Sequence, residues 1–211
     1  MNHAELRRAL ADPEKIRTDG FQIVQQLCCI ASAHDREEFL QEMVLRALEY
    51  RDHFGAAQPV IDALVRELGL FPYLDPETLS LNDSIAREVH RPEGLDVVFH
   101  GPQAAVYWAI LRGESVVLSA PTSFGKSLII DALIASERFR NLLIVVPTIA
   151  LIDETRRRLS RRFRERYKVI THTGQEHGER NIFVATQERM LESGIPDQLD
   201  FFGCDPGIMS S

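Results

Sequence analysis

The chain has 211 residues, 45% of them apolar, and a formal net charge of −7, enough material for one large or two small domains with a sizeable core. It contains no run of about 18 apolar residues, which excludes a membrane-spanning helix, and Met1-Asn2-His3-Ala4-Glu5-Leu6-Arg7-Arg8 lacks the apolar stretch of a secretory signal. Its cysteines, the adjacent Cys28 and Cys29 and the lone Cys204, have neither the even count of a disulfide framework nor the spacing of a zinc site, so reduced thiols in a cytoplasmic protein are expected.

The charge is unevenly spread. Residues 1–100 carry 18 acidic and 10 basic side chains, whereas residues 101–211 carry 13 and 14. The break coincides with a change of pattern, which predicts a helical accessory region over 1–95 and an α/β domain over 96–202. In the first region, helices are expected over Phe21–Ile30 and Asp35–Tyr50, the second with an acidic start suited to a helix dipole. A third is expected over Pro59–Leu68, with Pro59 at its start and Gly69 as its stop. A turn-rich break at Phe71–Pro76 precedes a fourth over Leu79–Val89. No chemistry-bearing cluster stands out there, so the region reads as an accessory domain that could dock a protein partner.

From Phe99 onward, short strands alternate with helices. Strands are expected over Val116–Ser119, Leu142–Val146, Lys168–Thr171 and Ile182–Ala185, and a helix over Ala104–Leu111. The alternation predicts a parallel α/β sheet with flanking helices. Between the first strand and the helix over 128–135 lies Ala120-Pro121-Thr122-Ser123-Phe124-Gly125-Lys126-Ser127, a small residue, four variable positions and Gly-Lys-Ser. A loop at that junction aims backbone N–H groups and the positive end of a helix dipole at one spot, which suits a polyphosphate. Lys126 would reach the β- and γ-phosphates of a nucleotide such as ATP, and the Ser127 hydroxyl would take a place on Mg²⁺.

Other positions gain meaning from their order. Gln103 lies 17 residues before Ala120 and offers both the donor and the acceptor that an adenine edge requires, although a Gln after Pro also suits an ordinary helix start. Ala150-Leu151-Ile152-Asp153-Glu154 imitates a strand closing on a metal-binding acid. However, Leu151, Thr155, Leu159 and Phe163 recur at helical spacing after Pro147, so Asp153 and Glu154 are expected in the first turns of a helix. From Glu154 to Lys168 that helix carries eight basic and two acidic side chains, either a phosphate-backbone surface or a solvated face. Thr171-His172-Thr173-Gly174 and Thr186-Gln187-Glu188 follow later strands, where open α/β sheets bind ligands. His172 and His177 have no third ligand nearby, so no metal site is expected on them.

In this order the residues resemble the first motor domain of superfamily-two DNA and RNA helicases, the DEAD/DEAH-like group, from about Phe99 to Leu191. The resemblance implies a RecA-like P-loop NTPase sheet behind an all-α N-terminal region. Pro102-Gln103 is similar to the adenine-reading Q motif. Ala120–Ser127 is similar to motif I, in a form closer to the Ski2-like branch than to standard DEAD-box proteins. Pro147–Glu154 resembles motif Ia, Thr173-Gly174 motif Ib, and Thr186-x-Glu188 motif Ic. It implies ATP and Mg²⁺ as cofactors, and backbone contacts from Thr148, Thr173, Gly174 and Thr186 to single-stranded DNA or RNA.

The family's motif II, an apolar strand closing on Asp-Glu, is the departure. The chain reads Leu199-Asp200-Phe201-Phe202-Gly203-Cys204-Asp205-Pro206, where Gly203 is expected to interrupt the strand and Asp205 is followed by Pro206 instead of Glu. Residues 203–211 are therefore expected to be a non-family tail, on a truncated or frame-shifted helicase with negligible ATP turnover of its own. A stand-alone P-loop switch and a partner-docking module with a vestigial nucleotide site are the alternatives.

Overall fold

The structure, a computed structural model, describes residues 2–33, 37–77, 79–193 and 198–204. The chain divides into two compact units, Met1–Arg91 with Asp96–Ala105, and Pro92–Leu95 with Val106–Ser211.

The first unit is helical: α1 (His3–Leu10), α2 (Pro13–Ala31), α3 (Glu37–Glu49), α4 (Gln58–Glu67) and α5 (Leu81–Val89), with 3₁₀ turns at Arg51–Ala57 and Phe71–Tyr73. Two of these extend beyond what periodicity predicts, and end chemistry explains both. The Asn2 side chain accepts from the Glu5 N–H while the Glu5 carboxylate accepts from the Asn2 N–H, a reciprocal cap that starts α1. Asp12 accepts from the Glu14 and Lys15 N–H groups and Pro13 occupies the first turn, so α2 begins well before Phe21. Residues 34–36, including the expected start at Asp35, lie outside the described residues.

The core of this unit is apolar, with Leu6, Ile16, Ile23, Leu27, Met43 and Ile61 at 1% exposure or less. Each such side chain stabilises the fold by about 1.5–3 kcal/mol relative to an exposed one. Gly69 ends α4 with φ at 64°; its N–H donates to the Arg66 carbonyl and the Leu70 N–H to the Val65 carbonyl. That pattern requires the left-handed conformation that glycine adopts without strain. The Gly69 carbonyl then accepts from the Gly101 N–H at 2.8 Å, and a Cβ on Gly69 would stand 3.2 Å from the Gly101 backbone.

In the second unit a parallel sheet is flanked by helices. The boundary between the units falls within α6 (Gly101–Leu111), which is followed by α7 (Lys126–Ala135), β1 (Asn141–Val145), α8 (Ile149–Phe163), β2 (Lys168–Ile170), β3 (Asn181–Ala185), α9 (Gln187–Ser193) and β4 (Phe201–Cys204). Strand order is β2-β3-β1-β4, with Leu143 opposite Phe183 and Leu142 opposite Phe201, every pair parallel. Leu142, Ile144, Val146, Ile182 and Val184 pack with Ile134 of α7 and with Ile152, Leu159 and Phe163 of α8. This is a RecA-like α/β arrangement, preceded in sequence by an all-helical region.

Two expectations are corrected. Residues 116–119 do not form a strand: no described strand pairs with them, Val117 is 100% exposed and Val116 38%. An apolar run becomes a strand only where a neighbour completes its hydrogen-bond ladder, and this one has none. Conversely, Gly203 does not interrupt β4, which continues to Cys204 with Gly203 opposite Ile144, because β1 supplies that ladder. Asp205, Pro206 and the remainder of the expected tail lie outside the described residues. Among the described residues, no helix is long and apolar enough to cross a membrane.

Candidate functional site

Residues 114–120, which lie outside any helix or strand, lead into the segment that ends at Ser127. Pro121, at φ −61° and ψ 164°, leads into a 3₁₀ turn over Thr122–Phe124, and the Phe124 N–H donates to the Pro121 carbonyl at 3.1 Å. Gly125 then adopts φ 82° and ψ 33°, a left-handed conformation that reverses the chain, and α7 starts at the next residue. The Gly125 carbonyl accepts from the Leu128 and Ile129 N–H groups at 2.9 and 3.3 Å. The first N–H groups of a helix have no intrahelical acceptor, so those of Lys126 and Ser127 point out of the helix end. The Lys126 ammonium folds back across the loop and donates to the Ala120 carbonyl at 2.9 Å. Ser123 and Ser127 are exposed and Lys126 is half-buried. A cation, a helix N-terminus and a free hydroxyl thus share one short loop, a donor set that fits a polyphosphate and a divalent cation.

Because all strands are parallel, their C-terminal ends share one edge of the sheet. Thr148 follows β1 and caps α8, its hydroxyl oxygen accepting from the Leu151 N–H at 3.3 Å while the residue stays exposed. Asp153 and Glu154 lie in the second turn of α8, whose first turn holds no acid, so they belong to the start of a helix as expected and not to the end of a strand. After β2, the Gln175 side-chain oxygen accepts from the Thr171 and His172 N–H groups at 2.7 and 3.2 Å, shaping a bend. Thr173 and Gly174 are exposed at that bend, Gly174 with φ at 90°. Thr186 follows β3 but is 3% exposed, its hydroxyl oxygen accepting from the Arg189 N–H at 3.4 Å. Hydrogen bonds from the Glu188 N–H and then the Thr186 hydroxyl hold the Glu188 carboxyl below the usual carboxylate range.

Gln103 belongs to the first unit and the loop to the second. Its side-chain oxygen accepts from the His100 N–H at 3.0 Å, the reach-back of a third helical residue to a cap, and Gln103 is 6% exposed.

One buried acid escaped the sequence reading. Asp131 of α7 is 4% exposed and holds both Arg158 and Arg162 of α8. It therefore ties the helix that starts at the Lys126 loop to the helix that starts at Thr148. An acid in an otherwise apolar helix was the available signal, readable only once its arginine partners are placed.

Residues 101–200 match the family model for DEAD/DEAH box helicases, and residues 1–84 match the Anti-bacteriophage protein B N-terminal domain. The chain is 41% identical over 169 residues to Anti-bacteriophage protein B of Escherichia coli (strain K12), covering 78% of this chain and 23% of that protein. It is 32% identical over 113 residues to Helicase POLQ-like of Caenorhabditis elegans, covering 49% of this chain and 12% of that protein. The chain thus spans less than a quarter of the length of either relative. No solved structure matches.

Proposed function

We propose, for a chain whose residues 101–200 form a DEAD/DEAH-box-like first helicase domain, that it binds ATP with Mg²⁺ and a single nucleic-acid strand as part of a cytoplasmic ATP-dependent helicase or translocase. The observation that carries the nucleotide half is the Lys126 ammonium folded over the loop, 2.9 Å from the Ala120 carbonyl, at the start of α7. Backbone N–H groups of Ala120–Ser127 and the Lys126 ammonium would hold the phosphates, Ser127 would hold Mg²⁺, and Gln103 would read adenine. The metal and the ammonium together would neutralise charge on the phosphates. Thr148, Thr173, Gly174 and Thr186 are proposed as strand contacts; the shared C-terminal edge supports the first three more directly than the buried Thr186.

The N-terminal match and the Escherichia coli relative support a setting in defence against bacteriophage for the protein that carries these residues. Lys126→Ala removes the one cation of the loop and should weaken ATP·Mg²⁺ binding at least tenfold, about 1.4 kcal/mol, in calorimetry. In cells, the same substitution should abolish any reduction in phage plating. Equal affinity in the variant would defeat the nucleotide assignment. Equal protection would defeat a nucleotide-dependent role in defence.

A further inference from the structure

The basic run of α8 and of the turn that leads from it to Lys168 in β2 is sorted by the fold into two sets. Between Glu154 and Lys168 the chain has eight basic side chains. Five of them have carboxylate partners: Arg156 with Asp153, Arg158 and Arg162 with Asp131, Arg166 with Glu137, and Lys168 with Glu176. Arg157, Arg161 and Arg164 are exposed, and among the described residues none has a carboxylate oxygen within 4.0 Å. Glu154 and Glu165, the acids of the run, stand at helical neighbour spacing from Arg157 and Arg161 and still do not pair with them.

Their placement is as selective as their pairing. At 100° per residue the three arginines fall within an arc of roughly 60°, opposite the face that buries Ile152, Thr155, Leu159 and Phe163. They cover about 10 Å of helix axis, roughly the axial length of three nucleotides of one strand. Arg157 lies about 14 Å along the axis from Thr148 at the helix start. A helix whose other cations are neutralised, and whose free ones form a single file, presents charge complementary to a phosphate backbone and to nothing apolar.

We propose that Arg157, Arg161 and Arg164 form a phosphate track on the outer face of α8, which takes the same single strand beyond the sheet-edge contacts. This rests on the nucleic-acid half of the function proposed above. Each arginine would act as a charge on a phosphate and carry no sequence preference.

The test is fluorescence anisotropy on the whole chain, with oligo-dT of about 6 and about 20 nucleotides, titrated across a salt series. In Arg157→Gln/Arg161→Gln/Arg164→Gln, the log–log salt slope for the long oligonucleotide should fall by about 2, three released counterions at ~0.7 each. The slope for the short one, which sheet-edge contacts alone can hold, should stay as in the wild type. The matching lysine triple variant should keep the wild-type slope on both. Unchanged slopes in the glutamine variant would overturn the track and leave the sheet-edge reading standing. A loss confined to a 20-base-pair duplex, or a loss in the lysine variant as well, would overturn it too. Failure of the wild type to bind either oligonucleotide while still binding ATP would overturn the track together with the nucleic-acid half of the proposed function. ATP-induced thermal stabilisation should be equal in all three proteins, which separates a lost contact from a lost fold.

Discussion

Helices α1 to α3 of the helical unit and the α7–α8 pair of the α/β unit use charge in opposite ways. The ion pairs of α1 to α3 lie at the surface, as in Arg7–Glu42, Arg46–Glu42 and Arg17–Glu14, over a core built of apolar side chains. Exposed pairs of that kind contribute little, so the cohesion of these three helices comes from burial and well-made helix ends. The helical unit does bury one acid further along, Asp83 at 8% exposure against Arg66, but with a single arginine. The α7–α8 pair places Asp131 inside at 4% exposure and holds it with two arginines from the neighbouring helix. The difference follows from what each set of helices must position. Apolar packing tolerates small slides between helices, whereas a two-armed ion contact fixes how α7, with the Lys126 loop at its head, sits against α8, with Thr148 at its head.

The largest effect should come from breaking that contact. Arg158→Gln together with Arg162→Gln leaves Asp131 buried without a cation, and removing the partner of a buried charge costs about 3–5 kcal/mol. Urea unfolding followed by circular dichroism would measure it. A loss below about 1 kcal/mol would place the α7–α8 pair in the same packing-driven class as α1 to α3, and the contrast would fail.

A smaller effect is expected where the helical unit depends on backbone geometry. Gly69→Ala forces a side chain into φ 64° and brings its Cβ to 3.2 Å from the Gly101 backbone. The left-handed conformation alone costs about 1–2 kcal/mol. The thermal midpoint should fall while the affinity for inorganic triphosphate with Mg²⁺, a ligand that Gln103 would not touch, is unchanged in calorimetry. If triphosphate affinity fell with it, the division of labour between the units would be wrong.

How much was legible in the sequence follows the same division. The loop from Ala120 to Ser127 and the strands at Leu142 and Ile182 could be read locally, because glycine placement and short apolar runs act within a few residues. The helix Ile149–Phe163 was readable from its own period, although it stops before the end of the basic run, where Lys168 opens β2. What could not be read depends on partners distant in the chain. Val116–Ser119 has the composition of a strand and no described neighbour to complete it, whereas Phe201–Cys204 contains a glycine and is a strand because Leu142–Val145 pairs with it. Asp131 belongs to the same group: its role is set by residues 27 and 31 positions later. α1 was missed for a local reason, since its reciprocal cap between Asn2 and Glu5 starts at the second residue, ahead of any apolar period.

The smallest effect sharpens the comparison from the exposed side of the α/β unit. There Glu93 and Arg138 form a two-armed pair at 2.7 and 3.1 Å, with both side chains about half exposed. The pair holds the segment Pro92–Leu95 beside the end of α7, where Gly94 comes so close to the Ala135 carbonyl that no Cβ would fit. The hydrogen bond from Arg138, aided by its charge, holds the Glu93 carboxyl below the usual carboxylate range, against the opposing pull of desolvation. Because the folded value lies below the unfolded one, the pair stabilises the fold fully above about pH 4.3, and that contribution is lost as pH falls through the folded value. Glu93→Gln should therefore lower the urea midpoint slightly at pH 7, and the gap to the wild type should close as pH falls through the folded value and in high salt. A gap that persists unchanged in acid would mean that the contact acts through shape, as Gly94 does, and not through charge. Surface and buried ion pairs of this unit would then differ in kind as well as in size, because Asp131 has no solvent to fall back on and Glu93 does.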